Sequence, residues 1–391
     1  MPQVWVNGKI IEGPSAREIL PSVLGAILLP RDGDLLPPIS FAAVAGWDDW
    51  DAALAAGVFC LAAQRLEAKA LIALPEPIRE KFVQQGLPPE IAVGVGEELA
   101  NLMLERWSAP KTTAHRTRLV IFGSSKGGLG KTSLALLASG HEMAHGRFVA
   151  VVDMDPNGSM GIVARQRAEE DSHFRRSGPA YIHSPPNFLA PRLFFARASW
   201  EAGSDEGAHL ALAMSMRPDT VVVDMSGDLE ASKRGLERVR FWAKMADAQL
   251  SGVQAVVLVS PQRDLMEQAV RAIEMYGSAL ISMAEEGICK GPAELLVVFP
   301  YSAHGSDVEA AGRFLANDLR AQALQRKLTI LVAADPIPPI GGQWEYWRRL
   351  FDLTLPRGRL DPASGLVKRP LAELVKAKPL EAIKGPSGAR R

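Results

Sequence analysis

Cysteine is scarce in this sequence, and long apolar runs are missing. The 391-residue chain has two cysteines, Cys60 and Cys289, which are too few for a disulfide framework or for a zinc site built from several cysteines. No stretch approaches the ~18 uninterrupted apolar residues of a membrane span. The N-terminus also lacks the basic and then apolar segment of a signal peptide. These absences predict a cytoplasmic protein.

Net charge is absent as well, because 44 Lys and Arg residues balance 44 Asp and Glu residues. A neutral total argues against a uniformly basic nucleic-acid binder. The balance is uneven, since residues 1–110 hold eight Lys and Arg against fourteen Asp and Glu. The rest of the chain therefore carries the compensating positive charge. A hydrophobic content of 47% with 23% charged residues is typical of a soluble globular protein, with room for roughly two or three domains.

The most informative stretch begins at Arg118 and continues Leu-Val-Ile-Phe-Gly-Ser-Ser-Lys-Gly-Gly-Leu-Gly-Lys-Thr-Ser. It predicts a strand at 119–122, a glycine-rich turn, and a helix that begins at Lys131. Such a turn lets backbone N–H groups surround phosphate oxygens, and the helix N-terminus adds partial positive charge. Lys131 is placed to reach the β- and γ-phosphates, and the Thr132 hydroxyl to ligate Mg²⁺. The predicted nucleotide-binding residues of this loop are Gly127, Gly128, Leu129, Gly130, Lys131, Thr132 and Ser133.

The loop departs from the Walker A pattern at one position. Ser125 stands where that pattern has glycine, and Lys126 follows it. Lys-Gly-Gly-Leu-Gly-Lys-Thr resembles the deviant Walker A motif of the ParA/MinD family of P-loop ATPases. The resemblance implies that Lys126 reaches across to the nucleotide of a second subunit, so that ATP and Mg²⁺ bind within a homodimer.

Two further segments place carboxylates at strand ends. Asp153-Met-Asp-Pro-Asn-Gly follows a predicted strand at 147–152 and resembles the family's Asp-x-Asp-Pro-Gln-Gly segment, with Asn157 where glutamine is usual. The resemblance implies that Asp155 orients or activates the attacking water and that Asp153 supports hydrated Mg²⁺. The plainer alternative is a turn that merely leaves a strand.

A second apolar strand, at 219–224, ends in Asp224 as in a Walker B motif, where the carboxylate holds Mg²⁺ through water. Gly227 follows at the position where the family's switch II approaches the γ-phosphate. The three motifs occur in the family's order. The resemblance extends from residue 117 to about 355.

Strands and helices alternate through the rest of this region. Predicted strands lie at 255–261, 294–299 and 328–333, and predicted helices at 132–145, 206–216, 229–250, 263–283, 306–326 and 345–353. Residues 171–204 remain unassigned except for a strand at 193–196. This alternation predicts an α/β fold with a doubly wound, mostly parallel sheet in residues 118–356. Base recognition stays open, because no adenine-contacting polar residue is evident after the 294–299 strand.

Residues 1–110 predict a small, mainly α-helical domain, followed by a linker at 111–117. Asn7-Gly8 predicts a β-hairpin near the N-terminus, and helices are predicted at 48–74, 78–85 and 89–107. The acidic balance disfavours DNA contact by this domain. Protein interaction and plain packing are both compatible with it.

His141-Glu-Met-Ala-His145 matches the His-Glu-x-x-His pattern of zinc proteases. The predicted helix is already committed to the phosphate loop, it ends at the second histidine, and no third ligand is apparent. We therefore expect no zinc site here.

Residues 357–391 form a basic C-terminal tail in this interpretation, and Arg313, Arg320, Arg326, Lys327, Arg348 and Arg349 precede it. In ParA relatives a basic C-terminal surface binds DNA without sequence preference, so the resemblance implies non-specific DNA binding. A solubilising tail is the alternative. An amphipathic membrane helix at 371–383 is a less favoured one, because Pro370 and Pro379 confine it.

The sequence thus predicts a slow ATP hydrolase that dimerises with ATP, positions or partitions DNA or another cargo, and is stimulated by a partner protein. The alternatives are a MinD-like ATPase that acts at a membrane or cell pole, and a nucleotide-dependent scaffold without DNA binding.

Overall fold

The computed structural model describes most of residues 117–337, with gaps at 156–157, 171, 178–179, 185–190, 196–209, 211–212, 215, 217 and 246–249. It also describes 371–383 and, before residue 117, the segments 3–6, 9–15, 18–19, 21–22, 40–45, 71–75, 79–80, 83–84, 92–95 and 98–99 together with residue 102.

The described residues form fifteen strands. They are β1 Gln3–Val6, β2 Lys9–Glu12, β3 Ser40–Ala45, β4 Leu71–Pro75, β5 Ala92–Val95, β6 Arg118–Ser124, β7 Val149–Asp153, β8 Phe174–Ser177, β9 Ala180–His183, β10 Arg192–Phe195, β11 Thr220–Asp224, β12 Gly252–Leu258, β13 Ala293–Val298, β14 Thr329–Val332 and β15 Lys378–Pro379. Seven helices accompany them: α1 Lys131–Ala144, α2 Ser159–Glu170, α3 Leu229–Met245, α4 Met266–Glu285, α5 Gly305–Asn317, α6 Leu319–Gln325 and α7 Leu371–Leu374.

Ten strands form one sheet in the order β15-β14-β13-β12-β6-β11-β7-β10-β9-β8. The seven strands from β14 to β10 in this order run parallel to one another, and the outer strands β15, β9 and β8 pair antiparallel. The inner strands β7 and β11 are buried throughout, as expected for parallel strands covered on both faces. The predicted α/β class and mostly parallel sheet are confirmed.

Three details differ from the predicted elements. The hairpin β8–β9 was not predicted, because strands of four residues are too short to show a periodicity. Helix α2 was not predicted either. The predicted helix at 306–326 is two helices, since Asp318 has an extended backbone, with ψ of 127°. Its carboxylate accepts hydrogen bonds from the N–H groups of Arg320 and Ala321 and so begins α6. The predicted helix at 345–353 lies outside the described residues.

The N-terminal segment contains a second sheet, in the order β2-β1-β3-β4-β5. The hairpin β1–β2 is confirmed, with Val6 paired to Lys9 across two intervening residues. Two of the predicted helices are corrected, because β4 occupies the end of the 48–74 segment and β5 lies within the 89–107 segment. Residues 79–80, 83–84, 98–99 and 102 are helical, as predicted for 78–85 and 89–107, and most of residues 1–110 lie outside the described residues. Leu-Ile-Ala-Leu and Ala-Val-Gly-Val are short apolar runs whose pattern is compatible with either element, and parallel pairing of β3, β4 and β5 decides for strands.

The N-terminal segment contacts the outer strand β8. The backbone N–H of Leu99 donates to the Ser177 hydroxyl at 3.0 Å, and Glu98 forms an ion pair with Arg175 at 2.6 Å. The Leu99 side chain is completely buried within the same hydrophobic core as the large sheet. Residues 98, 99 and 102 therefore pack with the large domain.

Part of the predicted C-terminal tail is folded onto the opposite edge. Strand β15 pairs with β14, and Val375 and Leu380 are buried. Lys376 forms an ion pair with Asp335 at 2.8 Å. Within 371–383 only the four residues of α7 form an α-helix, so the amphipathic helix considered for this stretch is not present. No helix among the described residues is long and apolar enough to cross a membrane.

Candidate functional site

The phosphate loop joins β6 to α1 as the motif predicts. Gly128 and Gly130 have φ of 78° and 96°, a left-handed conformation that glycine adopts readily. A Cβ atom placed on Gly127, Gly128 or Gly130 would meet no other atom within 4 Å. The loop therefore surrounds open space at the N-terminus of α1, where unpaired N–H groups attract an anion.

The unusual Ser125 is buried at the start of this loop. Its N–H donates to the carbonyl oxygen of Leu258 at 2.9 Å, which continues the β6–β12 pairing by one residue. Lys126, the next residue, is exposed and makes no ion pair within the described part of the chain. The two neighbours therefore differ: Ser125 anchors the loop, and Lys126 points its charge to solvent.

Lys131 is buried between two carboxylates from different strand ends. Its Nζ lies 3.0 Å from Oδ1 of Asp224 and 3.3 Å from Oδ2 of Asp155. Burial alone would lower the pKa of Lys131, but the Asp224 and Asp155 carboxylates outweigh it and raise that pKa above its usual value. The amino group is thus held protonated at the base of the loop.

Asp153 completes a cluster of three carboxylates. Its Oδ1 accepts the Asp155 N–H at 3.0 Å, whereas its Oδ2 is buried without a hydrogen-bond partner. Burial, and next the nearby Asp224 carboxylate, raise the pKa of Asp153 to about 8. Burial also raises the pKa of Asp224, although Lys131 beside it acts in the opposite direction.

The charges in this cluster suit a divalent cation. Three carboxyl groups lie beside one ammonium group, and burial together with the neighbouring Asp224 raises the pKa of Asp153, so a divalent cation would stabilise the ionised form of these carboxyls. The Thr132 hydroxyl lies near Asp224 and acts to lower the pKa of that carboxyl, so two oxygen ligands lie together at the start of α1. Oxygen donors of this kind are the ligands that Mg²⁺ prefers. The buried, unpaired Oδ2 of Asp153 is consistent with an incoming cation and its waters.

The turn after β11 touches the phosphate loop directly. A Cβ atom on Gly227 would lie 2.7 Å from Cα of Gly127, so only glycine permits this approach. Asp228, the following residue, accepts the Ala231 N–H at 2.8 Å and begins α3. The sequence had indicated Gly227 but neither this cap nor the residues behind the turn.

The predicted site residues therefore gather at the carboxyl ends of β6, β7 and β11. Lys131, Thr132, Asp153, Asp155 and Asp224 form one buried cluster, and Gly227 borders the glycine loop. Ser133 is buried in the first turn of α1. Lys126 alone stands apart, in solvent.

The His-Glu-x-x-His match has a structural role. Glu142 is buried and forms ion pairs with Arg147 and Arg118 and accepts a hydrogen bond from Thr220. His145 directs Nδ1 to the carbonyl oxygen of His141 at 2.8 Å. No group of three His, Cys, Asp or Glu side chains within the described segments is arranged to hold a metal by itself.

The chain is similar to several solved structures. An ATP complex of McdA from Cyanothece shares 14% identity, with 68% of this chain and 98% of that one covered and a TM-score of 0.36. The MinC:MinD complex from Aquifex aeolicus shares 14% identity, with 64% of this chain and 92% of that one covered and a TM-score of 0.33. A putative plasmid partition protein from Borrelia burgdorferi bound to AMPPNP shares 13% identity, with 66% of this chain and 98% of that one covered and a TM-score of 0.37.

At identities and TM-scores this low, the similarities say nothing about what this chain binds or does. No protein-family model matches the chain, and no curated protein does. The functional conclusion has to come from the site itself.

Proposed function

We propose that this chain is an ATP hydrolase that works as a nucleotide-gated dimer of the ParA/MinD type. One observation carries the proposal: Lys131 is buried between Asp224 and Asp155, directly below a glycine loop that opens at a helix N-terminus. An empty loop of this shape suits a phosphate chain, and the lysine beneath it suits the β- and γ-phosphates.

Binding starts with an exchange of partners at Lys131. Its ammonium group leaves the two carboxylates for phosphate oxygens, while the N–H groups of residues 127–132 bind the same oxygens. Thr132 and, through water, Asp224 and Asp153 would hold Mg²⁺, which when bound neutralises phosphate charge. The departure of Lys131 also leaves the Asp155 carboxylate available to another donor.

Hydrolysis then relies on positioning and charge. Asp155 accepts a hydrogen bond from a water molecule and aligns it with the γ-phosphorus. The water oxygen forms a bond to phosphorus as the bond to the β–γ bridging oxygen breaks, which gives ADP and inorganic phosphate. The negative charge on the transferred group is stabilised by Lys131 of the same subunit and by Lys126 of the partner subunit.

We further propose that the ATP-bound dimer binds DNA without sequence preference through the basic C-terminal region. Several basic residues near that region already have partners: Arg313 pairs with Glu309, Arg320 with Glu267, and Lys327 with Glu285. In the described segments Arg326 and Lys378 are exposed and make no ion pair. DNA contact would therefore depend on these two and on Arg348, Arg349, Lys368, Arg369, Lys384, Arg390 and Arg391, which lie outside the described residues.

The MinD-like alternative is less well supported. The apolar residues that a membrane helix would need at 371–383 include Val375 and Leu380, which are buried against the sheet. A scaffold without DNA binding remains the second alternative. A partner protein that stimulates hydrolysis is part of the main proposal, and the N-terminal segment is the region through which it would act.

Phosphate release and DNA retention test these proposals together. Wild-type protein should release phosphate from ATP slowly and only with Mg²⁺, and Lys131→Ala should release none. On random-sequence duplex DNA we expect retention with ATP, weaker at moderate salt, and none with ADP. Absence of Mg²⁺-dependent hydrolysis in folded protein contradicts the ATPase proposal. Hydrolysis without retention supports the scaffold or membrane alternatives.

A further inference from the structure

The side chain of Tyr276 lies behind the nucleotide site and touches the strand that leads into the phosphate loop. Tyr276 belongs to α4 and is completely buried. A Cβ atom on Gly123 would lie 2.0 Å from Cζ of the tyrosine and 2.2 Å from its hydroxyl oxygen. The hydroxyl end of the ring therefore takes the place of a side chain at Gly123, two residues before the loop begins at Ser125.

The same hydroxyl faces the turn after β11 through Ser232. Ser232, on α3, is completely buried, and its hydroxyl donates to the carbonyl oxygen of Ser226 at 2.9 Å. In a trans peptide the C=O and the following N–H point in opposite directions. Because the Ser226 carbonyl points to Ser232, the N–H of Gly227 points away from α3.

The contact between Tyr276 and Ser232 is close but not a full hydrogen bond. The phenol oxygen is buried with no partner within hydrogen-bonding distance. Burial raises the pKa of Tyr276, the Ser232 hydroxyl opposes that rise, and the Asp224 carboxylate adds to it. The phenol is thus near both residues. A phenylalanine would fill the same space without the unfavourable burial of an unpaired oxygen, so the hydroxyl calls for an explanation.

We propose that Tyr276 is a positioning residue for ATP hydrolysis, whose hydroxyl sets the spacing between the phosphate loop and the turn 225–228. This inference rests on the proposed function. The turn already touches the loop at Gly127, so bound nucleotide shifts Ser226 and Ser232 only slightly, enough to close the Tyr276–Ser232 hydrogen bond. The bond then holds the Gly227 N–H against the γ-phosphate while Gly123 and the loop rest on the other side of the ring.

Steady-state hydrolysis tests the role directly. Tyr276→Phe keeps the ring over Gly123 and removes only the hydroxyl, and Ser232→Ala removes the other partner. Each should lower kcat about tenfold, the equivalent of about 1.4 kcal/mol, with little change in KM. The double variant should lose no more than Ser232→Ala alone, because Ser232→Ala already removes the bond to Tyr276 together with its own bond to Ser226. Tyr181→Phe is the control, since Tyr181 is a buried tyrosine in β9, outside the site.

A Tyr276→Phe variant with the same kcat as Tyr181→Phe overturns the proposal, and so does a double variant whose losses multiply. Hydrogen exchange with a non-hydrolysed ATP analogue provides a readout that does not require turnover. The analogue should slow exchange at amides 226–231 in wild type and in Tyr181→Phe, and less so in Tyr276→Phe. Equal slowing in all three proteins overturns the positioning role of Tyr276. If the wild-type protein neither hydrolyses ATP nor binds the analogue, the proposed function is overturned, and this role with it.

Discussion

The amino group of Lys131 lies 3.0 Å from Oδ1 of Asp224 and thereby joins the first turn of α1 to the end of β11. The proposed function needs both partners elsewhere, the lysine on phosphate and the carboxylate on hydrated Mg²⁺. The ion pair therefore neutralises both buried groups until nucleotide binds. Loss of either partner would leave the other charge buried and uncompensated.

The carboxylate cluster predicts an unusual pH dependence of stability. The pKa of Asp153 is 3.8 in an exposed carboxyl and about 8 in the folded protein, so between these values the folded state binds the proton more strongly. Its contribution to stability is complete below about pH 4 and is lost as pH rises to 8. In thermal unfolding of nucleotide-free protein, the Tm of the wild type should therefore fall between pH 5 and pH 8. That fall should be several degrees larger than the fall in Asp153→Asn, which has no carboxyl to ionise at this position.

The comparison between the two proteins removes the other titrating groups from this measurement. Identical pH profiles for wild type and Asp153→Asn would show that the buried carboxyl is ionised without cost. ATP with Mg²⁺ should abolish the difference, because the cation stabilises the ionised form.

Lys126→Ala should bind nucleotide as wild type does but fail to form the ATP-dependent dimer. The reason is that Lys126 is exposed, makes no ion pair among the described residues, and is proposed to bind the nucleotide of the partner subunit. Analytical ultracentrifugation with a non-hydrolysed ATP analogue measures the dimer, and fluorescent-nucleotide titration measures binding. Lys131→Ala serves as the matched lysine variant and should lose both. Persistence of the dimer in Lys126→Ala would refute the role in the partner's site.

Gly123→Ala should destabilise the fold by about 1–3 kcal/mol, because its methyl group would overlap the ring of Tyr276. Gly127→Ala is the control within the same stretch, since its methyl group would meet nothing within 4 Å. Urea unfolding of both variants gives the comparison. Equal unfolding midpoints would mean that the ring moves aside at no cost.

Two N-terminal deletions should behave differently. Removal of residues 1–96 keeps Leu99 in the core and should leave basal ATP hydrolysis near the wild-type level. Removal of 1–110 also deletes Leu99 and the Glu98–Arg175 pair and should lower stability by a further ~2 kcal/mol, the burial of one leucine. Thermal unfolding and phosphate release check both. Two truncations of equal stability would show that the Leu99 contact contributes nothing.

The sequence predicted those parts of the candidate site that depend only on residues close together in the chain. The glycine loop, the helix that begins at Lys131 and the strands that end in Asp153 and Asp224 each follow from residues within one short window. Their meeting follows from a general property of parallel sheets, whose carboxyl ends lie along one edge.

Contacts between distant segments were not predictable. Tyr276 and Gly123 are more than 150 residues apart, and nothing in either neighbourhood indicates the other. Strands β4 and β5 were taken for helix because alanine-rich apolar runs are ambiguous until their pairing partners are known. The same holds for 371–383, whose apolar residues suggested an exposed amphipathic face and are instead covered by β14 and its following loop.

The edge strand β8 of the ten-stranded sheet is contacted by residues 98–99, and at the opposite edge the two-residue strand β15 pairs with β14. Open sheet edges recruit strands from other molecules, which leads to aggregation. A change that displaces residues 98–99 or β15 would expose an edge strand, so it risks aggregation even when the candidate site is untouched.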